Sequence, residues 1–364
     1  MKILYISHLF NDVSQGPVWS VPASVEAQSE IDDVFWIDLG NAQMEHWNDV
    51  NAYHNISEFG RLTLAYLPDN FKNPELVVFE GFYRMPFVTF ARELRRKGVP
   101  YVVVPRCSLT KRAQSTKRHK KWLANKIFFV RFTQKALCIQ YLSEDERNNS
   151  SKKWNKRSII VPNGIDLPQV YKENFSSEGI KAIFVGRLNA FHKGLDILLE
   201  SCLLIKQELE KSNFHLILYG EKCRDYETLN QYVQSNQLGN IVSFGGLISG
   251  EEKRKCILSA DLHVMTSRFE GMPMAMIETL AYGLPALVTP GTNMQKEVVT
   301  NNAGWGCNCD VNSVSNALLT IIKEKNTLKT KGENARNLAK EYSWTDIAKS
   351  FHEKICAFTQ IRKD

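Results

Sequence analysis

The sequence predicts an α/β protein of two Rossmann-like, doubly wound parallel sheets, and three observations carry that prediction. Runs of strand length alternate with amphipathic helical stretches, and the runs are apolar on both faces, as buried parallel strands are. The alternation starts afresh near the middle, and 364 residues is about twice the length of one compact domain.

The first set of strands is KILYIS (2–7), VFWIDL (34–39), ELVVFE (75–80), YVVVP (101–105), ALCIQYL (136–142) and SIIVP (158–162). The second is KAIFVGRL (181–188), HLILYG (215–220), NIVSFGG (240–246), DLHVMTS (261–267) and PALVTP (285–290). Between them PNGIDLP (162–168) clusters Pro, Asn, Gly and Asp, so residues 1–165 are expected to form one domain and 166–343 the other. Ligands of α/β folds bind at the carboxyl ends of the strands, so chemistry is sought just after strands. Neither first strand is followed by G-x-G-x-x-G: the first loop holds Gly16 alone and the second reads RLNAFHKG. A nicotinamide or flavin dinucleotide therefore loses its main support.

Composition narrows the class further. With 43% hydrophobic and 23% charged residues the chain reads as globular. No apolar run approaches the ~20 residues of a membrane span. The start, MKILYISHLF, is broken at Ser7 and His8, too soon for a secretory signal, so a cytoplasmic location is expected. Eight scattered cysteines without a C-x-x-C pair read as free thiols, and the Cys307/Cys309 pair lacks further ligands nearby, so no metal is expected.

The formal charge of +7 is concentrated in one place. Residues 106–136 hold ten Lys or Arg and no acid, while the remainder of the chain is slightly acidic. Such a segment is a surface for anions: lipid headgroups, polyphosphates or nucleic acid. Within it KRHKKWLANKIFFVR (117–131) mixes basic residues with Trp122, Ile127, Phe128 and Phe129, as an interfacial helix at the inner face of the plasma membrane does. The same pattern fits a helix that buries Trp122 and the Phe pair and solvates its Lys face. Nucleic acid is not expected, because the aromatics here are few and the candidate site residues lie elsewhere.

The most informative stretch is SRFEGMPMAMIETLAYGLPALVT (267–289). It ends a strand and opens a helix expected over 273–282, with Pro273 as first helical residue and Gly283 and Pro285 as its stop. The N–H groups of Gly271, Met272 and Met274, at the positive end of the helix dipole, make a seat for phosphate. Glu270 and Glu278 would repel phosphate and are better suited to accept hydroxyl hydrogen bonds, as from a sugar. Taken alone, the two acids equally fit a solvated helix face and an incidental loop residue. The stretch FVGRLNAFHKGLDILLE (184–200) adds Arg187 after a strand and Lys193 before a second helix. These are the two cations a diphosphate needs when no metal neutralises it.

VGRL with HKGLD (185–196), EGMPMAMIE (270–278, an E-x7-E element) running into AYGLPALVT, VPNGIDLP, and YSWTDIAKSFHEKI near the end resemble the motifs of retaining glycosyltransferases of family 4. The resemblance is strong over the second half; over the first it rests on element order and on VPRCSL (104–109). It implies the GT-B fold, two Rossmann-like domains facing across a cleft, with a last helix near 344–361 returning to the N-terminal, acceptor-binding domain. It also implies a nucleotide-sugar in the C-terminal domain, UDP-linked ahead of GDP-linked, without a metal cofactor. Arg187 and Lys193 would hold the diphosphate, with Gly186 and Gly16 near it. Glu270 and the backbone of Gly271, Met272, Pro273 and Met274 would orient the transferred sugar, Glu278 would take the ribose hydroxyls, and Gly220 and Leu247 would border the base.

His8 and Arg106 are the acceptor or loop candidates. The acceptor would be an oligosaccharide or lipid-linked glycan of a cell-surface polysaccharide. A sugar-nucleotide epimerase or a phosphorylase of the same fold is the alternative. Two departures from the family pattern stand out: a single Gly16 where paired glycines are usual, and Cys107 where Pro-Arg-Gly would place a glycine.

Overall fold

Both sheets are parallel throughout their described pairings, as the two-faced apolar runs require. The computed structural model describes residues 1–12, 15–40 and 44–360, with side chains to 358. The first sheet comprises β1 (Lys2–Ser7), β2 (Asp33–Asp38), β3 (Tyr53–Asn55), β4 (Leu76–Glu80), β5 (Tyr101–Val104), β6 (Cys138–Tyr141) and β7 (Ser158–Ile160), in the order β3-β2-β1-β4-β5-β6-β7. The second comprises β8 (Ile180–Val185), β9 (Phe214–Tyr219), β10 (Val242–Gly246), β11 (Leu262–Met265), β12 (Ala286–Val288) and β13 (Gly304–Gly306), in the order β10-β9-β8-β11-β12-β13. The α/β class with two doubly wound sheets is thus the one observed.

The chain divides into Met1–Gly164 with Trp344–Asp364, and Ile165–Ser343. The helix Trp344–Gln360 therefore belongs to the first unit, and residues 361–364 lie outside the described ones. Among the described residues no helix is long and apolar enough to cross a membrane.

Each strand feeds two cores by alternation. In β8, Ile180, Ala182 and Phe184 join one cluster while Ile183 and Val185 join the other; β9 does the same with Leu216 and Leu218 against Ile217 and Tyr219. In the first unit Leu4, Ile6, Val77, Phe79 and Val103 pack with Phe87, Phe90 and Leu94 of the helix Met85–Arg96. The opposite face, with Tyr5, lies under Trp344, Ile347 and Phe351 of the last helix.

Two edge strands escaped the sequence reading. β3 and β13 are three residues each, YHN and GWG, too short and too poor in apolar residues to show a period. β13 requires glycine at position 304, because a Cβ there would lie 1.9 Å from the Ala286 carbonyl oxygen of the neighbouring strand.

The helix Gly16–Ser29 contains Pro22, which cannot donate to the carbonyl of Val18 one turn earlier. The indole N–H of Trp47 donates to that oxygen instead, at 3.0 Å.

The basic segment is not one continuous helix. It breaks into Lys111–Ser115, Arg118–Ala124, a π-helical turn Asn125–Phe129 and Val130–Gln134, with Lys117 left-handed at φ 52° between the first two. Of the apolar residues, Phe129 is buried in the core, as a helix packed on its aromatic face requires, whereas Trp122 is 62% exposed and Ile127 52%, so Trp122 is not part of that core.

Candidate functional site

Strand order reverses between β8 and β11 in the second unit, so the loops leaving their carboxyl ends diverge and open a crevice, where α/β sheets bind ligands. Arg187, His192 and Lys193 follow β8; Ser267 and Glu270 follow β11.

Glycines shape the first loop. Gly186 has φ 158°, and Gly220, after β9, packs so closely that a Cβ would sit 1.9 Å from the Gly186 carbonyl oxygen. Asn189 accepts from the His192 N–H through its side chain at 2.7 Å and so starts a single helical turn, Ala190–Lys193. Gly194 ends it at φ 64°, and a Cβ there would meet the Thr266 carbonyl oxygen at 2.0 Å. The end of β11 therefore rests on the backbone of this turn, which sets the height at which Lys193 points.

Lys193 and Glu270 meet directly. Lys193 Nζ donates to Glu270 Oε1 at 2.6 Å, and Ser267 Oγ donates to the same oxygen at 2.8 Å. The lysine is buried and the carboxylate nearly so. The sequence reading assigned the two to different parts of a ligand; the structure joins them as one charge pair. Arg187 is exposed and, among the described residues, has no carboxylate within ion-pair distance, so it is the cation of this loop that is open to an incoming anion.

His192 completes the crevice. Its Nε2 lies 2.7 Å from the Phe269 carbonyl oxygen, which can only accept, so the proton sits on Nε2. Its ring stacks on Phe269 at 4.1 Å. Burial lowers its pKa against the pull of Glu270, and the charges of Lys193 and Arg187 lower it further, so it is neutral near pH 7.

The helix expected over 273–282 is Met274–Ala281, with Pro273 as its N-cap residue. Gly271 is half-buried, and Met272 and Pro273 are buried. The loop before the helix is tied down by Asn293, whose Nδ2 donates to the carbonyls of Glu270 at 2.6 Å and Gly271 at 3.0 Å. Glu278 lies in the second turn of this helix and pairs with Lys253 from the helix Gly250–Ser259. Leu247, just after β10, is 57% exposed.

Four contributors were missed by the sequence reading: Ser267, His192, Asn293 and Lys253. Asn293 carried a signal, since PGTN is turn chemistry and Asn293 adopts φ 57°. Lys253 carried none, because its contact with Glu278 is purely tertiary.

In the first unit the order reverses between β1 and β4, and a crevice there is lined by His8, Phe10, Arg84 and Arg106. Arg106 is held in this crevice by its own partners: its Nε donates to Glu80 at 2.8 Å and its Nη1 to Ser20 at 2.9 Å. Arg106 and Cys107 are both left-handed, at φ 46° and 66°, and the Cys107 N–H donates to the buried Glu146 at 2.6 Å. That bond holds the strained left-handed turn at Cys107. Burial and the Arg84 charge lower the pKa of His8. Arg84 itself lies over Phe10 at 4.8 Å. Gly16 starts the helix Gly16–Ser29 of this unit.

Residues 169–338, the core of the second unit, match the sequence family described as Glycosyl transferases group 1. The chain is similar to the mannosylfructose-phosphate synthase of Agrobacterium fabrum, 32% identical over 126 residues, which are 33% of this chain and 28% of that protein. It is 24% identical over 150 residues to the putative colanic acid biosynthesis glycosyltransferase WcaL of Salmonella typhimurium, covering 39% of this chain and 36% of the other. The aligned parts thus span well under two thirds of these relatives. HepE from Anabaena, solved in complex with UDP, superimposes with a TM-score of 0.73 at 17% identity over 98% of this chain and 100% of its own, a likeness of fold.

Proposed function

We propose that this chain is a retaining glycosyltransferase that moves a sugar from a nucleoside diphosphate sugar, UDP-linked in preference to GDP-linked, to a lipid-linked or oligosaccharide acceptor in cell-surface polysaccharide synthesis. The observation that carries this reading is the Lys193–Glu270 pair beside the exposed Arg187, at a strand-order reversal and just before the helix Met274–Ala281. One fixed cation, one open cation and a helix N-terminus together suit a diphosphate, and a carboxylate within reach suits a hydroxyl. The match of the second unit to group 1 glycosyl transferases supports it.

In the proposed step the C1–O bond of the sugar to the diphosphate breaks, and Arg187, Lys193 and the N–H groups from Gly271 onward hold the charge that develops on the leaving oxygens. The acceptor hydroxyl attacks C1 from the same face while a leaving phosphate oxygen takes its proton, so the anomeric configuration is kept and no enzyme nucleophile is used. Glu270 accepts a sugar hydroxyl as Lys193 turns toward phosphate. Glu278 holds the ribose, and Gly220 and Leu247 border the base. The cations do the neutralising work, so transfer continues with chelator present.

Calorimetry with UDP, GDP and ADP, followed by product analysis with the matching sugars, tests the proposal. Binding of one nucleoside diphosphate and its release from the sugar only when an acceptor is added are expected. The reading is overturned if no nucleoside diphosphate binds, or if donor turns over without acceptor, as in an epimerase.

A further inference from the structure

A cavity of about 430 Å³ in the first unit lies away from the carboxyl strand ends that carry His8 and Arg106. Its walls are the helix Met85–Arg96 and the helical run ending at Gln134, and it is lined by Arg92, Arg95, Arg96 and Arg131 over a floor that includes Phe128 and Phe132. Both helices lead back from strand carboxyl ends to the amino ends of the next strands. The arginines stand in or near the last turns of these helices, so the cavity sits toward the amino edge of the sheet, opposite the edge that carries His8 and Arg106.

Four guanidinium groups in one hollow repel one another unless a counter-charge is supplied. The protein supplies none: no acid lines the cavity, and none of the four arginines has an ion-pair partner among the described residues. The nearest acid in sequence, Glu93, is turned to the loop before it, accepting from Thr63 Oγ1 at 2.8 Å and the Leu64 N–H at 3.0 Å. The negative end of the helix dipole accounts for Arg95 and Arg96 in the last turn of their own helix. It does not account for Arg92, or for Arg131 converging from the other wall.

The helical run that reaches the cavity at Ile127 carries the second observation. Trp122, Leu123 and Ile127 are 62%, 53% and 52% exposed on the helical run that also presents Arg118, Lys120 and Lys126, and Ile127 lines the cavity itself. Exposed apolar side chains interleaved with cations, on a run that also contributes to an arginine-lined cavity, match a surface that is apolar below and anionic at its boundary. A free anion in water would make no use of Trp122 or Leu123.

We infer that this cavity is a seat for the phosphate headgroup of an anionic lipid, through which the first unit docks on a bilayer with Trp122, Leu123 and Ile127 entering the acyl boundary. The inference rests on the proposed function only in that a lipid-linked acceptor gives the docking a purpose. Its test does not depend on transfer.

The test is co-flotation of the full chain with phosphatidylcholine vesicles with and without phosphatidylglycerol, and with inorganic diphosphate as a soluble competitor. Binding only to the anionic vesicles is expected. Arg92→Glu/Arg96→Glu should lower it at least about tenfold, on the scale of ~1 kcal/mol per basic residue near an anionic leaflet. Arg131→Glu on the other wall and Trp122→Ser on the adjoining helical run should each weaken it independently. UDP binding, read by calorimetry on the same variants, should stay as in the parent, which separates this site from the one in the second unit. Equal binding to neutral vesicles, no vesicle binding, or binding unmoved by the Arg92, Arg96 and Arg131 reversals overturns the inference. Diphosphate binding at the cavity without vesicle binding overturns it in favour of a soluble anion. Absence of UDP binding with intact vesicle docking would overturn the proposed function alone.

Discussion

Lys193 and Glu270, 77 residues apart in sequence, meet at 2.6 Å with side chains only 10% and 11% exposed. A cation and an acid that face one another in so little water are a structural element before they are a ligand site.

Removing either one leaves the other charge poorly solvated, so Lys193→Ala and Glu270→Ala should each lose about 1–3 kcal/mol of stability as well as most transfer. Lys193→Met/Glu270→Leu should recover much of the stability and none of the turnover, since a matched apolar pair avoids the stranded charge. Urea midpoints beside kcat/KM separate the two effects. Arg187→Ala, at an exposed position, should leave the midpoint unchanged while kcat/KM falls by roughly tenfold to a hundredfold, the scale of a charged hydrogen bond. Unchanged kcat/KM in Arg187→Ala removes it from the site.

Gly194→Ala and Gly220→Ala should destabilise the second unit by at least about 2 kcal/mol, because each Cβ would enter a neighbouring carbonyl oxygen, at 2.0 and 1.9 Å. Gly239→Ala, where a Cβ meets nothing within 4 Å, is the control. Equal thermal midpoints for all three would remove the close packing of these loops as their organising feature.

His263 should make the second unit acid-sensitive. It is wholly buried, and burial first, then the charges of Lys193 and Lys253, push its pKa down to about 3. The unfolded chain takes up a proton near pH ~6.5 and the folded one does not. Stability is therefore full above that value and falls as pH drops toward 3, by a few kcal/mol. His263→Asn should flatten this slope in urea titrations across that range; an unchanged slope assigns the acid sensitivity to other groups.

Pro22 and Trp47 should be energetically coupled. Trp47→Phe leaves the Val18 carbonyl without its 3.0 Å indole donor and should cost about 1–3 kcal/mol. In a Pro22→Ala background the new N–H can serve that carbonyl, so the same substitution should cost less. A double-mutant cycle measures the difference, and additive costs would show that the indole bond does not substitute for the missing helical one.

Among the described residues, eleven of the thirteen strands were legible because buried parallel strands are apolar without interruption; β3 and β13 were not, because three-residue edges leave no pattern. The cations and acids of the second unit were legible as residue types at strand ends. Their pairing was not, since charge at a strand end does not reveal its partner. Arg106 was likewise legible as a cation after a strand, while its ion pair with Glu80 was not.

Local pattern thus decided what one dimension can encode: which segments are strands, where one sheet stops and the next starts, which loops carry charge. Only the folded chain decided who faces whom. Lys193 on Glu270, Lys253 on Glu278 and four arginines around one hollow are contacts between segments far apart in sequence, and their energies depend on distance and on water excluded by packing, neither of which a linear string contains.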